Sequence, residues 1–439
     1  MNKLFSVGVL FLFFQNAFSQ TIITPTSLNA KSRTEIVTTV SELLKANYVF
    51  PDVAVKMSSL INDKLKKGKY NNITDPVQLG DILTTDALSI NQDGHLRVEY
   101  NPAFFAQRHD TTGEDQRELQ QQKRNLSRNY GFKKAEILNG NIGYLELSGF
   151  YSPSKKANEA ALTILKFLSH CNSLIIDLRD NGGGSPEMIR YLLNYFFDTK
   201  THINDFYMRS TNTISEIWTN PDTSQINLTK MPLYILVGGN TASASEEFCY
   251  DLQNLHRATV VGTKTGGAAH PTMELDASNG FVLYNPYARA INPVTKTNWE
   301  GVGIIPEIIC PKEIALETAH LKILEDLSTT IKDPFELFDL NWYLDIVKCS
   351  YHPVIVDTLT LKKYAGIFGE RTITFENGKL FYQRVNKPKF EMEFITKNLM
   401  KAKNNTYFKI ELIEDEKGNV NDLKAYYQDK RIETAKRNN

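Results

Sequence analysis

The sequence predicts an α/β (α+β) protein with three parts: an N-terminal three-helix bundle, an α/β core and a small C-terminal antiparallel β domain. Three observations support this. Apolar residues recur at helical spacing between residues 33 and 90, and short apolar strands alternate with helices from residue 133 to about 330. Residues 355–435 then alternate apolar and polar side chains, as antiparallel strands do. The chain of 439 residues, 41% of them hydrophobic, is long enough for two or three domains.

The N-terminal helices are predicted from two long amphipathic stretches and one shorter stretch. "RTEIVTTVSELLKANYVF" places Ile36, Val40, Leu43 and Leu44 on one helical face. "PDVAVKMSSLINDKLKKGKY" starts with proline, which is favoured in the first turn of a helix, and "DPVQLGDILTTDALSI" follows as a third helix. We assign residues 20–100 to this bundle.

The predicted core covers residues 101–330. Its strands are "KKAEIL", "NIGYLELSGF", "NSLIIDLRD", "PLYILVGG" and "ATVVGTKT", and its clearest helices span 156–170, 186–197 and 242–255. "GFVLYNPYARAINP" is interpreted as a β-hairpin beside the sheet. Residues 331–439 are assigned to a linker and the β domain, whose turns "ENGK" and "EKGN" fit hairpins.

Residues 1–19 have the pattern of a signal peptide. A single lysine precedes an apolar run from Leu4 to Phe14, which is shorter than the roughly 20 residues that a spanning helix needs. An uncleaved anchor is the alternative. We expect an exported protein, periplasmic or extracellular, with no stable membrane insertion after cleavage. The formal net charge of zero gives no reason to expect a nucleic-acid partner.

The four cysteines are Cys171, Cys249, Cys310 and Cys349, and no pair has the spacing of a metal site. We therefore expect no metal and no cofactor. Cys171 and Cys249 lie near apolar runs, which favours buried thiols. An exported protein can form a disulfide, but the spacing of the cysteines assigns no pair.

Three segments could carry chemistry. In "LIIDLRDNGGGSPEMI" a buried strand runs into three glycines and a helix, which suits either a tight turn or an oxyanion site. In "GGNTASASEEF" two serines, Ser243 and Ser245, stand where a helix begins, and they either favour its first turn or supply a nucleophile. In "NQDGHLRVEY" His95 stands at a loop edge, where it is either structural or faces a cleft.

The first two of these segments, followed by "WEGVGIIPEI", resemble the C-terminal processing peptidase and tricorn core family of serine peptidases. The resemblance covers roughly residues 33–320. Within it, "NYVFPDVAVKM" and "DGHLRVEYNP" are similar to the branch that contains the modules of interphotoreceptor retinoid-binding protein. The resemblance implies a crotonase-like (ClpP/crotonase) α/β core. No more than about 30 polar residues separate "VEYNP" from "NYGF", too few for the PDZ insert that is common in the processing branch.

Carried over by position, the resemblance implies that Ser243 is the nucleophile and that the amides of Gly183 and Ala244 form the oxyanion hole. The processing branch uses a Ser/Lys dyad, but here Ala268 stands at the position of the lysine. The tricorn branch instead uses a histidine supported by a serine and a glutamate. His95 and Glu300 fall at those positions, whereas Gly94 replaces the supporting serine.

A serine hydroxyl needs a base to become a nucleophile, and histidine suits that role near neutral pH. His95 is the predicted base, and His270 and Lys264 remain as alternatives. The predicted activity is that of a secreted serine-type peptidase whose partner is a peptide or protein substrate. The alternative from another class is a non-catalytic module that binds an apolar ligand or peptide. Acyl-CoA chemistry has only the fold analogy behind it, and export argues against it.

Overall fold

The computed structural model describes residues 27–104, 113–221 and 224–438. The predicted signal peptide, residues 1–19, lies outside the described residues. Within the described ranges, none of the helices is both long enough and apolar enough to cross a membrane. All four cysteines are free thiols, and Cys171 and Cys249 are buried as predicted.

Three helices form the N-terminal part, as predicted: α1 (Ala30–Asn47), α2 (Pro51–Lys66) and α3 (Pro76–Leu88). Their starts follow the usual chemistry, since Asn29 and Asp75 cap the first and third helices, and Pro51 and Pro76 occupy first turns. The apolar faces pack on a three-stranded sheet and share one core with Phe281 and Leu283. The bundle is therefore continuous with the sheet beside it.

That sheet has the order β1-β10-β9, with β1 (Arg97–Tyr100), β9 (Thr272–Asp276) and β10 (Phe281–Pro286) all antiparallel. Strand β1 closely follows the loop that carries His95. Helix α4 (Glu114–Ser127) connects this region to the central sheet. The polar stretch between "VEYNP" and "NYGF" thus contains a helix.

The central sheet has six strands in the order β12-β8-β7-β4-β3-β2. Its members are β2 (Phe132–Leu138), β3 (Ile142–Leu147), β4 (Ser173–Asp177), β7 (Leu233–Val237), β8 (Thr259–Gly262) and β12 (Ile308–Ile309). All pairs are parallel except β2 with β3. Every residue of β4 and β7 is buried, as expected for central strands covered on both faces. Both strands end at the same edge, where the Gly182–Ser185 turn and Ser243 follow.

Three helices cross between these strands or follow them: α5 (Lys155–Leu168), α6 (Pro186–Leu193) and α7 (Ala244–Asn254). They lie close to the predicted positions, and all three end earlier than predicted. A third sheet, in the order β11-β5-β6, stands beside them with β5 (His202–Met208), β6 (Thr213–Trp218) and β11 (Ala288–Ile291).

The hairpin predicted for "GFVLYNPYARAINP" is wrong. Strand β10 pairs with β1 and β9, whereas β11 pairs with β5 in the other sheet. One residue, Tyr287, separates the two strands, and the tight turns of β-hairpins need at least two. The chain therefore passes from one sheet to the next without reversing.

The rest of the chain begins with helices α8 (Ala315–Thr330), α9 (Pro334–Tyr351) and α10 (Thr358–Tyr364). Helix α9 lies in the segment that was predicted to be a linker. The strands that follow are β13 (Gly366–Phe368), β14 (Arg371–Glu376), β15 (Lys379–Arg384), β16 (Lys389–Phe394), β17 (Leu399–Ala402), β18 (Asn405–Glu414), β19 (Val420–Tyr427) and β20 (Ile432–Lys436).

These eight strands form one antiparallel sheet in sequence order, here called the C-terminal sheet. A bridge between Phe368 and Arg437 brings the first strand to the chain end, so the sheet nearly closes on itself. Helix α9 anchors it: Trp342 Nε1 donates to the carbonyl of Thr406 at 2.8 Å, and Lys409 pairs with Asp345 at 2.8 Å.

Replacing Leu423 with alanine should destabilise the C-terminal sheet, because Leu423 is fully buried in its core. We expect the unfolding free energy of this part to fall by about 2–5 kcal/mol, measured by urea unfolding. Val385→Ala is the matched control, since Val385 is 61% exposed, and it should change the value by less than about 0.5 kcal/mol. Equal effects of the two substitutions would contradict the buried position of Leu423.

Candidate active site

Ser243 stands between β7 and α7, as the last residue before the helix. Its backbone has φ 56° and ψ −125°, a conformation that residues with a side chain rarely adopt. The preceding turn is tied to the neighbouring strand, because Thr241 Oγ1 accepts from the amide of Gly238 and donates to the carbonyl of Leu178 at 2.7 Å. The strained serine is thus held at the N-terminus of a helix, half-buried.

The glycine turn lies directly against Ser243. A Cβ added to Gly183 would come within 2.9 Å of the Ser243 Cβ and of the Ala244 amide nitrogen, and Gly183 has φ 110°. A Cβ on Gly184 would come within 2.0 Å of the carbonyl oxygen of Phe150. Both positions therefore require glycine. The structure thus places Ser243, Ala244 and Gly183 next to one another.

Asn181 fixes this arrangement. Its Oδ1 accepts from the Gly183 amide at 2.9 Å and from Ser245 Oγ at 2.6 Å, and its Nδ2 donates to the carbonyl of Leu147. Ser245 is fully buried and has a structural role. Among the described residues, the Ala244 amide has no hydrogen-bond acceptor, whereas the Gly183 amide is bound to Asn181. Ala244 is therefore the freer of the two predicted oxyanion donors.

Glu246 connects the Ser243 turn to the turn at residues 265–269, which follows β8. Its carboxylate accepts from the amides of Ser243, Gly267 and Ala268 at 2.7–2.9 Å and from the Thr265 hydroxyl. The residue is fully buried, and burial raises the pKa of its carboxyl, which these hydrogen bonds oppose. Glu246 is not among the site residues predicted from the sequence, although the spacing Ser-x-x-Glu at a helix start is the signature of a capping box.

His95 lies in a loop on the other side of that turn. A Cβ on Gly94 would be 3.4 Å from the Cβ of Ala268, so the Gly94 loop lies next to this turn. The imidazole is half-buried, and its Nδ1 is buried without a hydrogen-bond partner among the described residues. Burial lowers the pKa of His95, partly offset by the negative charge of Glu300.

Glu300 holds the same loop through the backbone. Its carboxylate accepts from the amide of Gly94 at 2.8 Å and from the amide of Ala269 at 2.6 Å. In the described part of the chain, no hydrogen bond joins Glu300 to the His95 imidazole or the His95 imidazole to Ser243. Ser243, His95 and Glu300 thus lie around the 265–269 turn. They are connected through hydrogen bonds to backbone amides and not through their own side chains.

The two alternative bases have different surroundings. Lys264 is exposed and makes no hydrogen bond or ion pair with a described residue. His270 is 3% exposed, and its Nδ1 is 2.8 Å from Asp93 Oδ2 and 3.6 Å from Glu300 Oε2. The geometry around Ser243 therefore gives no support to Lys264.

Asp93 is the centre of a network that the sequence analysis missed. Its Oδ2 accepts from the Tyr48 hydroxyl at 2.9 Å as well as from His270, and its Oδ1 accepts from the His95 amide at 3.2 Å. Burial opposes ionisation, but the bond from His270 holds the pKa of Asp93 below its usual range. The position of Asp93 two residues before His95 was the available signal.

Asp93, His270 and Glu300 each offer a possible metal-ligand atom, and these atoms lie within 4.8 Å of one another. Each oxygen already serves a protein donor: Asp93 Oδ2 accepts from Tyr48, and Glu300 Oε2 accepts from the Ala269 amide. A metal would have to displace these hydrogen bonds. The cluster is therefore better explained as a network that positions the His95 loop.

Helix α7 also carries two buried acidic residues, Glu247 and Asp251, which lie one helical turn apart. Glu247 is 4% exposed and Asp251 is fully buried, and Asp251 Oδ1 accepts a hydrogen bond from Asn292 Nδ2 at 3.3 Å. Burial raises the pKa of the Glu247 carboxyl to about 7 and raises that of Asp251 as well. Neither carboxyl has a cationic partner among the residues that the structure describes, so the folded protein favours protonation of the pair.

Glu246→Gln should loosen the candidate site, because a glutamine amide cannot accept all the hydrogen bonds of the carboxylate. We expect a loss of about 3 kcal/mol in unfolding free energy, measured by urea unfolding. Glu313→Gln is the matched control, since Glu313 is exposed, and should be neutral within about 0.5 kcal/mol. A neutral result for Glu246→Gln would contradict its role as the connecting group.

The Glu247–Asp251 pair should make stability fall as pH rises from about 4.3 to about 7. Because the folded-state pKa is raised, the folded protein binds the proton more tightly than the unfolded chain, whose glutamates titrate near 4.3. Its contribution is therefore largest at low pH. Glu247→Gln should flatten this part of a plot of unfolding free energy against pH. An unchanged slope would mean that the pair ionises normally.

Comparison with known proteins places these features in a family. The model for peptidase family S41 matches residues 141–310, which include Gly183, Ser243 and the 265–269 turn. The model described as the N-terminal domain of peptidase S41 in eukaryotic IRBP matches residues 26–128, which include His95.

Two curated relatives are similar over part of their length. The carboxyl-terminal-processing peptidase 2, chloroplastic, of Arabidopsis thaliana is 30% identical over 201 residues, covering 46% of this chain and 36% of the relative. The carboxy-terminal-processing protease of Bartonella bacilliformis is 28% identical over 174 residues, covering 39% of each chain. The chain thus spans less than half the length of both relatives.

Two solved structures have folds similar to parts of the chain. The photosystem II D1 C-terminal processing protease has a TM-score of 0.44 at 16% identity, covering 65% of this chain and 95% of that one. The tricorn protease has a TM-score of 0.44 at 12% identity, covering 72% of this chain and 37% of that one. With TM-scores this low, the assignment rests on the two sequence models. Together they match more than half of the 439 residues, and the chain belongs to peptidase family S41.

Proposed function

We propose that this chain is an exported serine peptidase that cleaves peptide bonds through an acyl-enzyme on Ser243, with His95 as the general base. His95 takes the proton of the Ser243 hydroxyl as the oxygen attacks the scissile carbonyl, and then donates it to the leaving amine. A water molecule, activated by the same imidazole, releases the acyl group. We also propose that the core has the crotonase-like arrangement, in which helices follow parallel strands.

The single observation that carries the proposal is the conformation of Ser243. A serine with φ 56° costs conformational energy, and such strain persists where the surrounding structure holds it for a purpose. The N-terminus of α7 adds a positive partial charge, which favours a negative charge developing beside it. Together these features suit a nucleophile and have no evident value for a plain helix cap.

The two predicted oxyanion donors, the amides of Ala244 and Gly183, are not equally available. The Ala244 amide is available, and a good donor at this position contributes about 3–4 kcal/mol to the stabilisation of the transition state. The Gly183 amide donates to Asn181 and must also donate to the substrate oxygen, or turn toward it, when the substrate binds. The hydrogen bond from Gly183 to Asn181 is thus the one that substrate binding would change.

His95 suits the role of base because of its loop. Asp93 and Glu300 hold the backbone of residues 94 and 95 against the Ala268 turn, on the side where Ser243 is connected through Glu246. The mechanism requires the imidazole to come within about 3.2 Å of Ser243 Oγ in the working complex. In this scheme Glu300 is a positioning residue whose charge also stabilises the imidazolium.

A fluorophosphonate probe tests the nucleophile. Wild-type protein should be labelled, and Ser243→Ala should remove labelling and lower kcat/KM on casein-derived peptides at least about a thousandfold. Ser127→Ala, an exposed serine on α4, should behave as wild type. Absence of wild-type labelling between about pH 6 and 9 would reject the peptidase proposal and favour the non-catalytic binding module.

The base is tested by histidine substitutions and by the pH profile. His95→Gln should lower kcat/KM by about a hundredfold or more, whereas His352→Gln, at an exposed histidine, should leave it unchanged. Because burial lowers the pKa of His95, its neutral form persists below the usual value of about 6.5, so the acid limb of kcat/KM should lie below that pH. A larger loss in His270→Gln than in His95→Gln would transfer the role to His270.

A further inference from the structure

An apolar cavity of about 310 Å³ lies beside the candidate active site. Its lining is mostly apolar: Phe206, Met208, Ile217, Pro271, Tyr287 and Pro186. Each of these side chains is half-buried, so each presents part of its apolar surface to the cavity. Exposed apolar surface in a concave site is stabilised when an apolar group covers it.

One face of the third sheet lines this cavity. Phe206 and Met208 are two residues apart on β5 and point to the same side. Ile217 joins them because it pairs with Asn204, and the small side chain of Ala288, opposite Met208, leaves the space open. The opposite face carries Tyr207 and Arg289, which lie outside this cavity.

Segments of the candidate site border the cavity on two sides. Pro186 and Glu187 directly follow the Gly182–Ser185 turn, and a shallow groove lined by Gly183, Gly184 and Ser185 shares Glu187 with the cavity. On the other side, Pro271 follows His270 at the end of the turn that contains Ala268. A peptide with its carbonyl at the Gly183–Ala244 position could therefore extend a neighbouring side chain into the cavity.

The charged groups at the rim do not select for one sign of charge. Glu187 and Arg190 both line the cavity from α6, and both are exposed. Their opposite charges leave the apolar strand residues as the selective surface. The volume is sufficient for a leucine, methionine or phenylalanine side chain and is poorly filled by alanine.

We propose that this cavity receives a large apolar side chain of the peptide substrate next to the scissile bond, and that Phe206, Met208 and Ile217 determine this specificity. The inference rests on the proposed peptidase function and adds the class of substrate side chain. Loss of a few methylene contacts in such a pocket typically lowers kcat/KM by 10- to 200-fold per group.

The test compares peptides that differ only at one position beside the cleaved bond, with the cleavage site mapped by mass spectrometry. Wild-type protein should cleave the leucine and phenylalanine peptides at least about tenfold faster, in kcat/KM, than the alanine or glutamate peptides. Met208→Lys should reverse the order and increase kcat/KM on the glutamate peptide. A misfolded variant cannot produce such a gain.

Ile214→Lys is the control, because Ile214 lies on β6, is 60% exposed and points to the opposite face of the sheet. It should keep the wild-type preference. Cleavage of all peptides at equal rates, or an unchanged preference in Met208→Lys, would overturn the inference while leaving the peptidase proposal intact.

If no peptide is cleaved, the peptidase proposal fails, and binding decides the inference separately. Binding of the leucine peptide to Ser243→Ala protein, measured by calorimetry, should weaken at least about tenfold when Met208→Lys is added. Equal affinity in the single and double variants would overturn the role of the cavity.

Discussion

The buried carboxylate of Glu246 is the contact on which the candidate site depends. It accepts hydrogen bonds from the Ser243 turn and from the turn after β8, two segments that are also joined by the hydrogen bond from the Gly266 amide to the Thr241 carbonyl. A charged group inside a protein is costly unless its hydrogen bonds are complete, and here four donors surround it. The strain at Ser243 is tolerable because this carboxylate and the glycine turn leave the serine no other position.

The turn after β8 in turn fixes the position of the His95 loop through hydrogen bonds. Ala269 shares the Glu300 carboxylate with Gly94, and His270 in the same segment binds Asp93, which in turn contacts the His95 amide. The loop is thus fixed by backbone amides and carboxylates, while the imidazole itself keeps an unpartnered Nδ1. This leaves the ring able to change its hydrogen bonds when a substrate arrives, although its backbone is held.

Local patterns in the sequence were sufficient for helices α1 to α3 and α5 to α7 and for the buried strands β4 and β7. Each of these depends on residues close together in the chain. The separation of β10 from β11 depends on partners elsewhere, β9 and β5, which periodicity does not reveal. The contact of Asp93 with His270 joins residues 177 positions apart, and only the folded chain brings them together. Helix α9 was not predicted for a different reason. Its apolar residues are distributed around the helix instead of forming one stripe, so they give no amphipathic pattern.

The near-contact between Gly94 and Ala268 has a consequence for how such a site can change over evolutionary time. The Ala268 backbone is held at both ends, by Glu246 at its amide and by Trp299 at its carbonyl, so its Cβ must face the Gly94 loop. A lysine at position 268 would send its stem into the space that this loop occupies. Under the proposed mechanism, a lysine base at position 268 and a histidine base on the Gly94 loop would then compete for one volume. An exchange between them would require the turn and the loop to change together.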